Sequence, residues 1–140
     1  AIDALNALGI KTVLLTGDNA DTAQEVCTQV GISDYIADVT PDQKAQVVAD
    51  LKKNSVCAMV GDGINDAPAL ATADVGFAVA NGTDIAIDSA DVILMRQGLL
   101  PAAETVMISR AVIYRLYAGS TLCIKVCIFS LITSTIISCM

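Results

Sequence analysis

The chain has 140 residues, about one domain's worth, and 54% of them are hydrophobic. Residues 1–104 hold fifteen acidic and five basic residues, a net −10, whereas residues 105–140 hold three basic residues and no acidic one. That balance excludes a nucleic-acid binder, which needs clustered Lys and Arg to neutralise phosphates. The absence of histidine excludes His-based triads and His-ligated zinc, and a mean hydropathy of +0.63 excludes disorder.

The opening residues AIDALNALGI show neither a basic leader nor an initiator methionine, so the chain is expected to be a piece of a longer protein. Asp3 to Leu8 reads as a helix stopped by Gly9. Thr12 to Leu15 is a short, apolar, β-branched run suited to a buried parallel strand, and Thr16-Gly17-Asp18 follows it. Ala23, Val26, Cys27 and Val30 then recur at helical spacing, with Gly31 as the stop. Asp34 to Val39 is a second strand candidate. Thr40-Pro41-Asp42-Gln43 has the form of a capping box with Pro at the first helical position, opening a helix to about Lys53. Val56 to Val60 is a third buried strand. Ala67 to Ala73 reads as a short helix, Val75 to Ala80 and Val92 to Met95 as strands. A short helix is expected near Thr83 to Ser89 and a longer one from about Pro101.

Strands and helices in alternation, joined by short loops, imply an α/β fold with a parallel sheet. Ligands of such sheets bind at the carboxyl ends of the strands. The two most polar, glycine-bearing turns lie there: Thr16-Gly17-Asp18 and Gly61-Asp62-Gly63-Ile64-Asn65-Asp66. Two carboxylates and a carboxamide in five residues offer hard oxygen donors of the kind Mg²⁺ takes beside phosphate oxygens. Thr16 adds a hydroxyl and Lys44 an ammonium. A metal, a cation and neutral donors around one point are what phosphoryl transfer requires.

These motifs resemble the phosphorylation domain of P-type cation-transporting ATPases, a haloacid-dehalogenase-like Rossmannoid parallel sheet. Thr16-Gly17-Asp18, Lys44 and Gly61-Asp62-Gly63-Ile64-Asn65-Asp66-Ala67-Pro68 carry the resemblance. Gly82-Thr83-Asp84-Ile85-Ala86-Ile87 and Ser89-Ala90-Asp91-Val92-Ile93-Leu94-Met95 extend it toward the heavy-metal branch. The resemblance covers about residues 1–110. It implies that Asp62 and Asp66 serve a Mg²⁺ site, with Asn65 and Asp66 also holding the phosphoryl group. It implies that Thr16 contacts the phosphoryl group, Gly17 permits close approach, Asp18 shapes its loop, and Lys44 neutralises a phosphoaspartate. The implied cofactors are Mg²⁺ and ATP, the latter bound mainly by an upstream domain. The family's nucleophile, the aspartate of a DKTGT motif, does not occur here, so the chain alone is expected to form no phosphoenzyme.

Residues 111–140 are expected to form a basic entry followed by one transmembrane helix. Thr121 to Cys139 is a nineteen-residue window whose one charge is Lys125, and Arg110 and Arg115 precede it. A buried C-terminal helix is the alternative. Six Ser or Thr in the window would favour packing on other spans. Lys125 would either snorkel to the interface or face a bundle interior. Cys123 and Cys127, one helical turn apart, would either ligate a soft cation such as Cu(I) or simply pack. Cys27 and Cys57 read as reduced core residues.

The expectation is a fragment of an integral-membrane, ATP-driven transition-metal pump with residues 1–110 cytoplasmic. Its partners would be the membrane, the transported cation and the remaining domains of the same pump, with no nucleic acid. Copper(I) export is favoured by the soluble half, and the lysine-bearing tail keeps zinc or cadmium as the alternative. A non-catalytic truncated haloacid-dehalogenase-like protein is the reading from a different class. A soluble phosphatase would need a nucleophilic Asp before Thr16, and Asp3 lacks the DxDx[TV] surroundings.

Overall fold

A computed structural model describes residues 1–61, 64–79, 87–96, 98–119 and 135–139. In chain order the elements begin with helix α1 (Ile2–Ala7), strand β1 (Lys11–Leu15), helix α2 (Ala20–Val30), strand β2 (Asp34–Ile36) and helix α3 (Pro41–Lys52). Strand β3 (Cys57–Gly61), a 3-10 turn (Ile64–Asp66), helix α4 (Ala67–Thr72) and strands β4 (Val75–Val79) and β5 (Val92–Leu94) follow. Helix α5 (Leu100–Gly119) and strand β6 (Thr135–Cys139) complete the series. The strands form one parallel sheet in the order β2-β1-β6-β3-β4-β5, as the expected α/β architecture requires.

The apolar runs become central strands because both of their faces are covered. Leu14 packs with Ile2 of α1 and with Ala23 and Cys27 of α2, while the next residue, Leu15, packs with Val48 of α3. On β3, Ala58 and Val60 meet Ala102, Ala103 and Val106 of α5, and Cys57 and Met59 meet Val48 and Leu70. The sheet is thus sandwiched between α1, α2 and α5 on one side and α3 and α4 on the other.

Local chemistry fixes the ends of the elements. Asn19 caps α2 by accepting a hydrogen bond from the Thr22 N–H at 2.9 Å. The expected capping box opens α3, where Gln43 Oε1 accepts from the Thr40 N–H at 2.9 Å and Pro41 needs no partner for a donor. Two aspartates lock neighbouring strands together. The Cys57 N–H donates to Asp74 Oδ2 at 2.9 Å and the Asp74 N–H to the Cys57 carbonyl at 2.9 Å. Asp91 repeats the exchange with Gly76, at 2.8 and 2.9 Å.

β2 is shorter than the expected Asp34 to Val39. It ends at Ile36 because Asp38 adopts a left-handed φ of 56° that turns the chain back toward β1. Helix α5 runs through the boundary expected at residue 110. Of the helix expected at Thr83 to Ser89, residues 83–86 lie outside the described residues.

The tail differs most from expectation. Thr135–Cys139, the end of the anticipated Thr121 to Cys139 span, form β6 rather than helix. No helix among the described residues is long and apolar enough to cross a membrane. Sheet pairing is the physical reason. β6 lies between β1 and β3 and runs in register with both, from Lys11↔Thr135 to Leu15↔Cys139 on one side and from Cys57↔Thr135 to Val60↔Ser138 on the other. Apolar, β-branched residues such as Ile136 and Ile137 suit a covered strand as well as an apolar helix. Cys123, Lys125 and Cys127 lie outside the described residues.

The sheet reverses its order of winding between β1 and β3, since β2 lies outward of β1 while β4 and β5 lie outward of β3. The crevice beyond the carboxyl ends of strands at such a reversal is where α/β sheets bind ligands.

Candidate active site

Thr16 follows β1 and is 2% exposed. Its hydroxyl donates to Asp18 Oδ2 at 3.0 Å and accepts from the Asp18 N–H at 3.1 Å, so Thr16 and Asp18 close a small loop around Gly17. The segment after β2 seals this loop. The Asp38 N–H donates to the Asp18 carbonyl at 2.8 Å, and the Val39 N–H donates to the Thr16 carbonyl at 3.2 Å. A Cβ on Gly17 would sit 3.3 Å from the Val39 carbonyl oxygen, which leaves little room for any other residue.

The second half of the site follows β3. Lys44, in the second turn of α3, reaches across to Asp66 in the 3-10 turn before α4, with Nζ 2.9 Å from Oδ1. Lys44 is 7% exposed and Asp66 5%. A buried ammonium and carboxylate survive together because each offsets the desolvation of the other. Gly61 makes room for them. A Cβ there would lie 2.8 Å from Asp66 Cβ and 3.0 Å from Oδ2. Asn65 stands beside Asp66 and is exposed. Asp62 and Gly63 lie outside the described residues.

Of the residues singled out in the sequence, the structure brings Lys44 to Asp66 and Thr16 to Asp18. These two pairs stand at the carboxyl ends of β3 and β1, with β6 between the strands. The pairing of a helix lysine with an acid 22 positions later follows from the crossover connection, which returns α3 over the sheet toward the end of β3. Asp38 and Val39 complete the loop and were not foreseen. Asp tolerates the left-handed region better than most residues, a weak signal that does not by itself single out Asp38, and Val39 carries none.

The thiols of Cys27 and Cys57 are chemically quiet. Burial pushes Cys57 up to about 11, with Asp74 adding to the shift and Lys52 opposing it. Burial, then the Asp34 carboxylate, also raises Cys27 above its ordinary value. Both are free and buried, as expected of core residues.

The sequence profile of the haloacid dehalogenase-like hydrolases matches residues 1–74, just over half of the 140 positions. The chain belongs to the haloacid dehalogenase-like hydrolase family. Within it, the sequence is 49% identical over 110 residues to the copper-exporting P-type ATPase B of Archaeoglobus fulgidus, a match covering 79% of this chain and 16% of that protein. It is 49% identical over 111 residues to the copper-exporting P-type ATPase of Bacillus subtilis, covering 79% of this chain and 14% of that one. The crystal structure of a zinc-transporting PIB-type ATPase superimposes with a TM-score of 0.77 at 38% identity, over 84% of this chain and 19% of that chain. This haloacid dehalogenase-like chain therefore matches the heavy-metal P-type ATPases in sequence and fold, and it spans less than a fifth of the length of these three relatives.

Proposed function

We propose that the chain is the magnesium- and phosphoryl-binding half of the catalytic site of an ATP-driven transition-metal pump, with copper(I) as the favoured cargo. The observation that carries this reading is the buried Lys44–Asp66 pair at the end of β3, set at the sheet's reversal point opposite the Thr16–Asp18 loop. The likeness to two copper-exporting ATPases favours copper. The likeness to a zinc-transporting structure keeps zinc or cadmium as the second reading.

The residues present fit a magnesium ion. Asp66 supplies a hard carboxylate at a strand end, and Gly61, having no side chain, leaves room beside its Oδ2. In this reading Asp62 and Asp66 hold Mg²⁺, which would neutralise phosphoryl charge when bound. Lys44 keeps a fixed positive charge at the same place, oriented in advance by Asp66, and so needs little reorganisation as negative charge develops. The Thr16 hydroxyl is held by Asp18 at the end of β1, and in this reading it is the donor to a phosphoryl oxygen. Asn65 is exposed beside Asp66 and adds a neutral donor. The sequence contains no DKTGT nucleophile, so the chain by itself forms no phosphoenzyme on exposure to ATP.

Residues 1–110 face the cytoplasm in this reading. In the assembled pump residues 111–140 form the basic entry and the membrane helix that follows this domain, for which Thr135–Cys139 must leave the sheet. Cys123, Lys125 and Cys127 are then the candidate contacts to the cation. The test is the ATPase rate of the full pump that contains this chain, compared with Cu(I), Zn²⁺ and Cd²⁺. Stimulation by Cu(I) above the other two is expected. Stimulation by Zn²⁺ or Cd²⁺ alone would replace copper with the second reading, and no stimulation by any of the three would overturn the pump assignment.

A further inference from the structure

We propose that Lys44 sets the cation preference of the site: by holding Oδ1 of Asp66 it leaves that carboxylate one oxygen to offer, which suits Mg²⁺ and disfavours Ca²⁺. The inference rests on the magnesium reading given above and adds to it a specificity-determining contact. The two oxygens of Asp66 have different surroundings. Oδ1 lies 2.9 Å from Lys44 Nζ, and the two side chains are only 9% and 7% exposed. Oδ2 lies on the side of Gly61, within 3.0 Å of where a Cβ would stand, and no hydrogen bond to it is present among the described residues. The pair is also held from behind. Lys44 projects from α3, whose start is fixed by the Thr40–Gln43 capping box, and Asp66 leads directly into α4. Val48 of α3 and Leu70 of α4 pack into one cluster with Met59 of β3, so neither backbone is free to draw the charges apart.

The two cations make different demands on a carboxylate. Ca²⁺ takes about six to eight oxygens in a loose geometry and readily uses both oxygens of one carboxylate. Mg²⁺ demands a near-octahedral shell and keeps several waters, and the two oxygens of one carboxylate are too close together to span an octahedral edge. For Oδ1 to join Oδ2 on a Ca²⁺ ion, the carboxylate would have to leave Lys44 and strand a buried ammonium. A cation that takes Oδ2 alone asks for no such exchange. The ammonium repels either dication to a similar degree, so its charge lowers both affinities together. The ratio of the two affinities therefore reports the oxygens that Asp66 can offer, not the local charge.

Isothermal calorimetry with MgCl₂ and with CaCl₂ on the full 140-residue chain tests this, with sucrose present to keep variants folded and circular dichroism to check that they are. The unmodified chain should bind Mg²⁺, and Asp66→Ala should weaken that binding. Lys44→Met frees Oδ1 and should shift the ratio of affinities toward Ca²⁺ by at least about tenfold, the scale on which partners of a metal ligand act. Lys44→Ala, which lets water reach Asp66, is read in the same way where Lys44→Met does not fold. Lys44→Gln loses the charge but keeps an amide that donates to Oδ1, so it should retain the unmodified ratio. Lys44→Met combined with Asp66→Asn, which offers a single carboxamide oxygen, should retain it as well. An unchanged ratio in Lys44→Met and Lys44→Ala, with Mg²⁺ still bound through Asp66, would overturn the proposal and leave the magnesium reading standing. Equal shifts in Lys44→Met and Lys44→Gln would overturn it too, by tracing the effect to charge. Absence of Mg²⁺ binding to the unmodified chain, or binding that Asp66→Ala does not weaken, would overturn the proposal together with the magnesium reading.

Discussion

Lys44 Nζ lies 2.9 Å from Asp66 Oδ1, and this contact joins α3 to the turn that follows β3. Both side chains are almost fully buried, so water cannot replace either partner. Removing one charge from a buried pair typically costs about 3–5 kcal/mol, whereas removing both often costs much less. Urea unfolding of the full chain should therefore show a large loss for Lys44→Met and for Asp66→Ala, and a double variant well short of the sum. Additive losses would mean that the pair is not coupled.

Gly61 holds the space into which Asp66 folds. Gly61→Ala places a Cβ 2.8 Å from Asp66 Cβ, closer than real side chains come, so Asp66 must shift. A misplacement of this size in a site that orients reacting groups should lower the turnover of the parent pump by about tenfold or more. The cost in stability should be about 1–3 kcal/mol. Turnover equal to that of the unmodified pump would show that the position of Asp66 is not critical.

Asp74 and Asp91 each hold the backbone of a neighbouring strand. Asp91→Ala leaves the Gly76 N–H without its carboxylate, and Asp74→Ala does the same to the Cys57 N–H. Each should cost about 1–3 kcal/mol in a thermal or urea melt, with Asp→Asn recovering part of the loss. Losses below about 0.5 kcal/mol, the ordinary range of surface changes, would contradict a register-holding role.

Much of this arrangement is legible in the residues. The runs Thr12 to Leu15 and Val56 to Val60 announce strands covered on both faces, and Thr40-Pro41-Asp42-Gln43 announces the start of α3. Lys44 and Asp66 stand out as a cation and an acid suited to one site. Their direct contact also depends on the sheet order, which local patterns do not encode. The closure of the Thr16 loop by Asp38 and Val39 rests on backbone hydrogen bonds, to which side-chain identity is nearly blind. The tail shows the sharpest limit. Counting apolar residues over Thr121 to Cys139 suggests a membrane span. The fate of Thr135–Cys139 is decided instead by the slot between β1 and β3, where Thr135 pairs with Lys11 from the opposite end of the chain.

The Cys57 thiol gives a pH signature. Its folded value, about 11, lies above the ordinary 9.0, so the folded state holds the proton more tightly than the unfolded state does. The associated stability is fully present below pH 9 and is lost as pH rises toward 11. Stability measured from pH 8 to 11 should fall more steeply in the unmodified chain than in Cys57→Ala, by up to roughly 2 kcal/mol. Iodoacetamide at pH 8 should leave Cys27 and Cys57 unlabelled until the chain is unfolded, by peptide mass spectrometry. Identical pH slopes in the two chains, or rapid labelling of Cys57 in the folded chain, would contradict its burial.

The central claim concerns the carboxylates at the end of β3. The most direct measurement is ATP hydrolysis by the full pump carrying Asp62→Ala or Asp66→Ala, alongside binding of the transported cation to the membrane part of the same preparations. Each variant should abolish turnover while cation binding stays at the unmodified level. Retained ATPase activity in either variant would contradict the magnesium–phosphoryl role assigned to that residue.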